Sequence, residues 1–254
     1  MSNMIDYEFH MVGTADALRA AVQVIANIVA KHGDGDKHGL WHWGDVPTIG
    51  DRDSEAYFGF ATCDVQIHEI YFGLIFISKF FPNMKIFVNE QCTEGCAESC
   101  LNLIAKGKEK GLLESCNTPF YLEEFLAIFE LRRRKDAESL AGIVGAMIRT
   151  CEGGNDYMAL SLDTMAKQVT SVIKKKPALA TDPKTLELLQ TLCPMMQNLC
   201  GPDEEEYEGM RFKYAEGLEA AFETAALSLS TKKALKTAGK GKGGKCRPVS
   251  GVSV

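Results

Sequence analysis

Alternating apolar and polar residues, interrupted by helical patterns, most strongly limit how the first 90 residues can fold. Ile5, Tyr7, Phe9 and Met11 alternate with polar neighbours, and similar runs occur at 55–62 and 84–88. Such alternation is typical of half-buried strands. Helical spacing follows Thr14 and Asp64, which are suitable N-caps.

The order of these elements is strand, helix, two strands, helix, strand, if residues 40–43 form a short strand. Two β-α units with right-handed crossings predict a four-stranded antiparallel sheet with both helices on one face. The sequence therefore predicts a ferredoxin-like βαββαβ arrangement.

Helical patterns dominate the rest of the chain. A third helix is predicted at 94–110, ending at Gly111, and no strand pattern follows Pro119. Helical periodicity recurs at 120–135, 137–151, 157–176, 184–199 and 204–229. We therefore predict an α+β fold in three parts, with a ferredoxin-like domain at 1–116, an all-helical domain at 117–231 and a flexible basic tail at 232–254.

The charge is distributed unevenly between these parts. The chain of 254 residues has 34 acidic and 28 basic side chains, and seven of the basic ones lie in 232–254, which has no acid. The remainder carries 21 basic and 34 acidic groups, a net charge of −13. An acidic body has little capacity for the counterion release that drives nucleic-acid binding.

The amino-terminal residues have no cationic start followed by an apolar core, so they do not match a signal peptide. The longest apolar run is far shorter than the roughly 20 residues of a membrane span. Nine cysteines, an odd number, indicate reduced thiols. We expect a cytoplasmic protein, in the host cytoplasm if a phage encodes it, and no membrane partner.

Residues 56–90 carry a pattern of aromatic and apolar positions around the second predicted helix. It reads Phe60-x-Thr62, then Ser78-x-x-Phe81-Pro82, then Met84-x-Ile86-x-Val88-x-Glu90. This pattern resembles the YubB-like ferredoxin-fold proteins of phages and plasmids, although Cys63-Asp64-Val65 stands where that family usually has a tryptophan and prolines. The resemblance implies the ferredoxin-like fold and a mobile-element origin, and it brings no catalytic residues.

Four cysteines stand close together, at positions 92, 96, 100 and 116. Three thiols spaced by four on a helix extend over about 12 Å, too far to reach one zinc ion at about 2.3 Å. We interpret them as packing residues and expect no cofactor.

A loop at 32–45 is rich in histidine and aspartate, and His38, His42 and Asp45 are its candidate metal ligands. Histidine with carboxylate can bind a divalent metal or act as acid and base. The spacing matches neither a calcium loop nor a His-Glu-x-x-His helix. A solvated loop anchored by two tryptophans is the simpler interpretation.

Phe58 and Phe60 lie on a strand that corresponds in order to the aromatic strand of RNA-recognition motifs. There, strand aromatics stack unpaired bases, and here Lys240, Lys242 and Lys245 of the tail could add contacts to phosphate. The acidic neighbours oppose this hypothesis, and core packing is the alternative for both rings. The basic run at 132–135 ends a predicted helix, where cations complement the helix dipole.

No catalytic signature is present, and we predict no catalytic residues. The first hypothesis is a non-enzymatic binding protein of a phage or mobile element that engages a host protein or complex, for example as an inhibitor of a defence system. A homodimer is an alternative assembly. The second hypothesis is a single-stranded RNA- or DNA-binding protein, and the third is a metal-dependent enzyme that uses loop 32–45.

Overall fold

A six-stranded antiparallel sheet forms the centre of the structure. The structure is a computed structural model that describes residues 5–32, 40–43, 45–62, 68–92, 99–115, 120–153, 158–199, 217–218 and 220–223. The strands are β1 (Ile5–Val12), β2 (Leu40–Trp43), β3 (Glu55–Thr62), β4 (Lys85–Cys92), β5 (Ser99–Ala105) and β6 (Lys108–Ser115), in the order β2-β3-β1-β4-β5-β6. The chain thus has a mixed α+β fold.

Strand β1 lies between β3 and β4. Phe9 pairs with Phe58 on one side and with Val88 on the other. The four predicted strands are confirmed, including the short β2, which pairs with β3. The predicted number of strands is wrong, because β5 and β6 extend the sheet beyond β4.

The third helix predicted at 94–110 is also wrong, because this segment contains β5 and the first three residues of β6. Lys106 and Gly107 both have positive φ angles, of 54° and 71°, and they join the two strands as a tight hairpin. Positive φ at both central residues matches the twist of a two-residue hairpin turn. Leu101 pairs with Asn89 of β4, and such pairing across the sheet overrides a weak local preference for helix.

Helices α1 (Ala15–His32) and α2 (His68–Ser78) cover one face of the sheet. Helix α1 begins after Thr14, as predicted, and Thr14 Oγ1 accepts a hydrogen bond of 3.4 Å from the Ala17 N–H. The predicted N-cap of α2, Asp64, lies outside the described residues. The core under these helices is built from alternate strand residues, among them Phe9, Phe58, Phe60, Ile86 and Val88.

The second hydrophobic core lies among the later helices and reaches the opposite face of the sheet. These helices are α3 (Leu122–Arg134), α4 (Ala137–Gly153), α5 (Met158–Lys175) and α6 (Pro183–Leu199), with a short 3-10 helix (Pro177–Thr181) before α6. Helix α3 contacts β1, β4, β5 and β6. Phe87 and Leu101 of the sheet join this core.

The predicted ends of the four helices α3–α6 all lie within two residues of the observed ends. Of the fifth predicted helix, at 204–229, only 217–218 and 220–223 are described, and these residues are helical. Nowhere in the described part of the chain is there a helix with the length and apolar character needed to cross a membrane.

Candidate functional site

Helix α2 and the turn after it carry an exposed row of phenylalanines, which we call the aromatic ridge. Phe72, Phe76 and Phe80 are 65%, 55% and 63% exposed. Phe72 and Phe76 are spaced by four residues and so share one side of α2, and Phe80 follows in the turn after the helix. Ile70 and Leu74 of the same helix are fully buried against the sheet. A helix that is apolar on all sides is normally buried on all sides, so the ridge is unusual.

The rings of the ridge contact one another and a cation. The Phe76 and Phe80 centroids are 5.1 Å apart, with an edge-to-face angle of 66°. Lys79 Nζ lies 5.7 Å from the Phe76 centroid, within the range of a cation–π interaction. Phe76 and Phe80 therefore form one continuous apolar surface, with the positive charge of Lys79 beside Phe76.

Close packing of α2 on α1 fixes the position of the ridge. Gly73 faces Val24 of α1, and a Cβ built at Gly73 would lie 2.6 Å from Val24 Cγ1. Only glycine fits at this distance, so the backbone of α2 approaches α1 directly. The contact with α1 thus fixes the backbone of α2 that carries the ridge.

The β5–β6 hairpin supports the other end of α2. Ser78 Oγ donates a hydrogen bond to the Ile75 carbonyl (2.8 Å) and accepts one from the Gly107 N–H (2.7 Å). The Tyr71 hydroxyl donates to Glu109 Oε1 (2.6 Å), and burial with this carboxylate raises the pKa of Tyr71. The two strands missed by the sequence prediction therefore anchor the helix that carries the ridge.

A second candidate site is a cleft between the sheet and the start of α3, which we call the tyrosine cleft. Its volume is about 640 Å³, which is typical of pockets for small ligands. It is lined by side chains from β1, β3 and α3 and from the residue before α3, among them Glu8, Tyr57, Tyr121, Glu123 and Leu126. The Tyr57 ring stacks on His10, with centroids 4.3 Å apart and an angle of 2°.

Glu8 joins the tyrosine cleft to the backbone of α3. Its Oε2 accepts hydrogen bonds from the Leu122 N–H (2.6 Å) and from Asn89 Nδ2 (2.7 Å). Asn89 Nδ2 also donates to the Phe120 carbonyl (2.6 Å). Burial raises the pKa of Glu8, and the two hydrogen bonds partly oppose this shift.

Glu124 is a second buried carboxyl in the same region, and it holds helices together. Its Oε1 accepts hydrogen bonds from Thr150 of α4 (2.6 Å) and Ser161 of α5 (3.2 Å), and its Oε2 accepts one from the Tyr121 N–H (3.0 Å). Burial is the main cause that raises its pKa, with a smaller contribution from Glu8. All its oxygens are occupied by structural partners, so we assign it a structural role.

The two candidate base-stacking residues lie in the core. Phe58 and Phe60 are 4% and 1% exposed and pack under α1 and α2. The structure therefore does not support base stacking by these rings and agrees with the core-packing alternative. The neighbours of Tyr57 in β3 point into the core, so the Tyr57 side chain lies on the opposite face of the sheet, where it is 60% exposed. Lys240, Lys242 and Lys245 lie outside the described residues, and their role stays a prediction.

Of the three candidate metal ligands, only Asp45 has a side chain that the structure describes. His38 lies outside the described residues, the backbone of His42 pairs with Phe60, and Asp45 is exposed. No group of three or more histidine, cysteine or acidic side chains that could hold a metal ion occurs among the described residues.

The cysteines do not share a helix. Cys92 is the last residue of β4 and Cys100 lies in β5, where it pairs with Glu90. Cys96 and Cys116 lie outside the described residues. The prediction that the thiols share one helix is therefore wrong, because Cys92 and Cys100 lie in two different strands.

The aromatic ridge and the tyrosine cleft were both missed at the sequence level. Apolar residues on all sides of the second predicted helix were a signal for the ridge, because one helix face alone suffices to cover a sheet. For the cleft, the alternation in β3 places Tyr57 and Phe58 on opposite faces of the sheet. The strand pattern alone does not show which face packs into the core.

Comparison of the chain with known protein families, with characterised proteins and with solved structures gives no match. Function must therefore be argued from the two surfaces themselves.

Proposed function

We propose that this chain is a non-enzymatic binding protein that inserts its aromatic ridge into an apolar groove of a partner protein. One observation carries the proposal, namely that Phe72 and Phe76 on one side of α2 and Phe80 in the turn after it are all more than half exposed. Contiguous exposed apolar surface on a soluble fold marks an interaction site. Large aromatic side chains are also the common anchors of protein interfaces.

The spacing and area of the ridge favour a groove over a flat surface. Anchors at i and i+4, as at Phe72 and Phe76, belong to the pattern of a helix seated in a hydrophobic groove, and Phe80 adds a third ring just after the helix. At about 200 Å² per ring, the exposed parts of the three rings present roughly 370 Å². A standard interface buries about 800 Å² on each partner. Two ridges packed on each other would bury only about half of this area on each chain. A groove would enclose the rings together with the flanking Lys79 and so bury more.

The mobile-element origin and a host protein as partner stay part of this proposal. They rest on the resemblance of residues 56–90 to the YubB-like proteins. The strand order β2-β3-β1-β4, with α1 and α2 on one face, supports the proposal that the first four strands form a ferredoxin-like unit, to which β5 and β6 are added. Four helices in succession, α3–α6, support the proposal of a helical second half.

Site-specific crosslinking tests the proposal. A photoreactive phenylalanine analogue replaces Phe76 in the full chain, which is expressed in the organism that encodes it, and crosslinked proteins are identified. The purified partner is then titrated with the wild type and with a Phe72→Ala/Phe76→Ala double variant. Loss of two anchors at about 1.5 kcal/mol each weakens binding by about 100-fold.

Tyr57→Ala is the matched control, because Tyr57 is an equally exposed aromatic residue on the other face of the sheet. We expect the Tyr57→Ala variant to bind the partner with the same affinity as the wild type. Equal affinity of the double variant and the wild type would refute the proposal. A crosslink only to a second copy of the chain, with a dimer that Phe76→Ala dissociates, would refute the partner and assign the ridge to self-association.

A further inference from the structure

We propose that the tyrosine cleft binds an organic cation, a guanidinium or alkylammonium group, between Tyr57 and Tyr121 with Glu8 as its counter-charge. This site lies on the face of the sheet opposite α1 and α2. It is independent of the aromatic ridge, and the two proposals can fail separately.

The walls of the cleft suit a flat or rounded cation. Tyr57 and Tyr121 are at least half exposed, and both line the same cavity. Tyr57 is held from behind by its stacking on His10, so its other face is presented as a rigid surface. A cation over such a ring is attracted by the negative face of the π-system, most strongly where water is excluded.

The charge of the cleft also points to a cation. Two carboxylates, Glu8 and Glu123, are among the described residues that line it, and no lysine, arginine or histidine is. Glu123 forms an ion pair with Arg149 on its outer side. Glu8 therefore remains as the acidic group without a cationic partner in the described structure.

Glu8 has one oxygen available for a ligand. Both of its hydrogen bonds, from Leu122 and from Asn89, go to Oε2. Oε1 accepts none from the described residues, although most of this side chain is buried and it lines the cleft. Guanidinium and ammonium N–H groups supply the charge-assisted donors that such an oxygen needs.

Other classes of ligand fit less well. A hard metal ion takes six or more oxygen ligands at about 2.0–2.6 Å, and the two carboxylates of this wide cavity do not provide them. A phosphate or nucleic-acid backbone would meet two carboxylates, and no basic side chain is among the described residues that line the cleft. An uncharged apolar ligand would bury Glu8 Oε1 without a partner, which is costly.

Titration of the full chain with small cations tests the proposal by calorimetry and by NMR. The cationic probes are arginine amide and lysine amide, each Nα-acetylated so that the side chain carries the only charge, and Nα-acetylated citrulline amide is the neutral match to arginine amide. For a ligand of this size we expect dissociation constants of about 1 mM for the cations and no measurable binding of citrulline amide. Equal binding of arginine amide and citrulline amide, or no binding of any cation, overturns the proposal.

Variants assign the binding to the cleft. Tyr57→Ala and Tyr121→Ala should each weaken the binding of arginine amide by about threefold to thirtyfold. Glu8→Gln should weaken this binding at least as much. Glutamine keeps an oxygen for the Leu122 N–H, and thermal unfolding checks the fold of each variant. The two tyrosine variants keep the test decisive if Glu8→Gln does not fold. Phe72→Ala, on the ridge, should bind as the wild type does, and unchanged binding by both tyrosine variants contradicts the proposed site.

A blocked tripeptide with a central arginine distinguishes two sources of the cation. Tighter binding of the tripeptide than of arginine amide supports a side chain presented by a polypeptide. Equal or weaker binding supports a free amine or guanidine. Both results retain the cation site.

Discussion

Replacing Gly73 with alanine tests the close packing that positions the aromatic ridge. The new Cβ would lie 2.6 Å from Val24 Cγ1. Val24 is β-branched and has little rotamer freedom in a helix, so α1 and α2 must move apart. Such overpacking costs about 1–3 kcal/mol, and the gain in helix propensity offsets up to about 1 kcal/mol. We expect the free energy of unfolding to fall by about 1–2 kcal/mol.

Gly142→Ala is the matched control within the same chain. Gly142 also lies inside a helix, α4, but a Cβ there meets nothing within 4 Å. We therefore expect this variant to be more stable by about 0.5–1 kcal/mol, from helix propensity alone. The two substitutions are chemically identical, so their opposite signs isolate the contact with Val24.

Adding Val24→Ala to Gly73→Ala should remove the clash. The double variant should then be more stable than the sum of the two single changes predicts, by about 1–2 kcal/mol. Urea unfolding followed by circular dichroism measures the wild type and the four variants. A chain of this size shifts its Tm by about 2–4 °C per kcal/mol, which makes the differences measurable. Stabilisation by Gly73→Ala equal to that by Gly142→Ala would refute the packing of α2 on α1 described above.

Two further predictions concern the buried carboxyl and the hairpin. Burial raises the folded-state pKa of Glu124 above the ordinary pKa of a glutamate carboxyl. The contribution of Glu124 to stability is therefore full below that ordinary pKa and is lost as pH rises through the folded pKa. The stability of the wild type relative to Glu124→Gln should therefore increase as the pH falls from neutral to about 5. Urea unfolding at both pH values measures this, and an equal difference in the free energy of unfolding at the two pH values would contradict it. Gly107→Ala should lower the free energy of unfolding by about 1–2 kcal/mol, because Gly107 has a φ of 71° and lies against Lys79. Gly111→Ala, whose Cβ meets only Asn102 at ordinary distance, should change it by less than about 0.5 kcal/mol, and equal effects in the same unfolding assay would count against the hairpin turn.

Local patterns were sufficient for most elements of this fold. Alternation around Phe9 predicts β1, and helical periodicity with proline and glycine breaks predicts α3–α6. Strand β5 was missed because its apolar residues also fit helical spacing. In addition, the residues of β4 with which it pairs, such as Asn89 opposite Leu101, are not its neighbours in sequence. The turn at Lys106 and Gly107 is also atypical, since asparagine or aspartate usually precedes glycine in such turns.

The candidate sites were less predictable than the elements, for a physical reason. Exposure depends on what packs on a residue, and Phe76 and Leu74 are chemically similar but lie on opposite sides of α2. Phe58 and Tyr57 differ in the same way across β3. The pattern shows which residues share a face, whereas the packing of other elements decides which face is the core.

The hydrogen bonds of Glu8 and Asn89 have a consequence for how the molecule can be divided. They cross from the sheet to the Leu122 N–H and the Phe120 carbonyl, so the boundary predicted near residue 117 is crossed by buried polar contacts. Cutting the chain there would leave a carboxyl and an amide of the sheet without their partners, and would also expose Leu101. We therefore expect each piece to be less stable alone than in the intact chain, and the sheet and α3 to unfold as one cooperative unit.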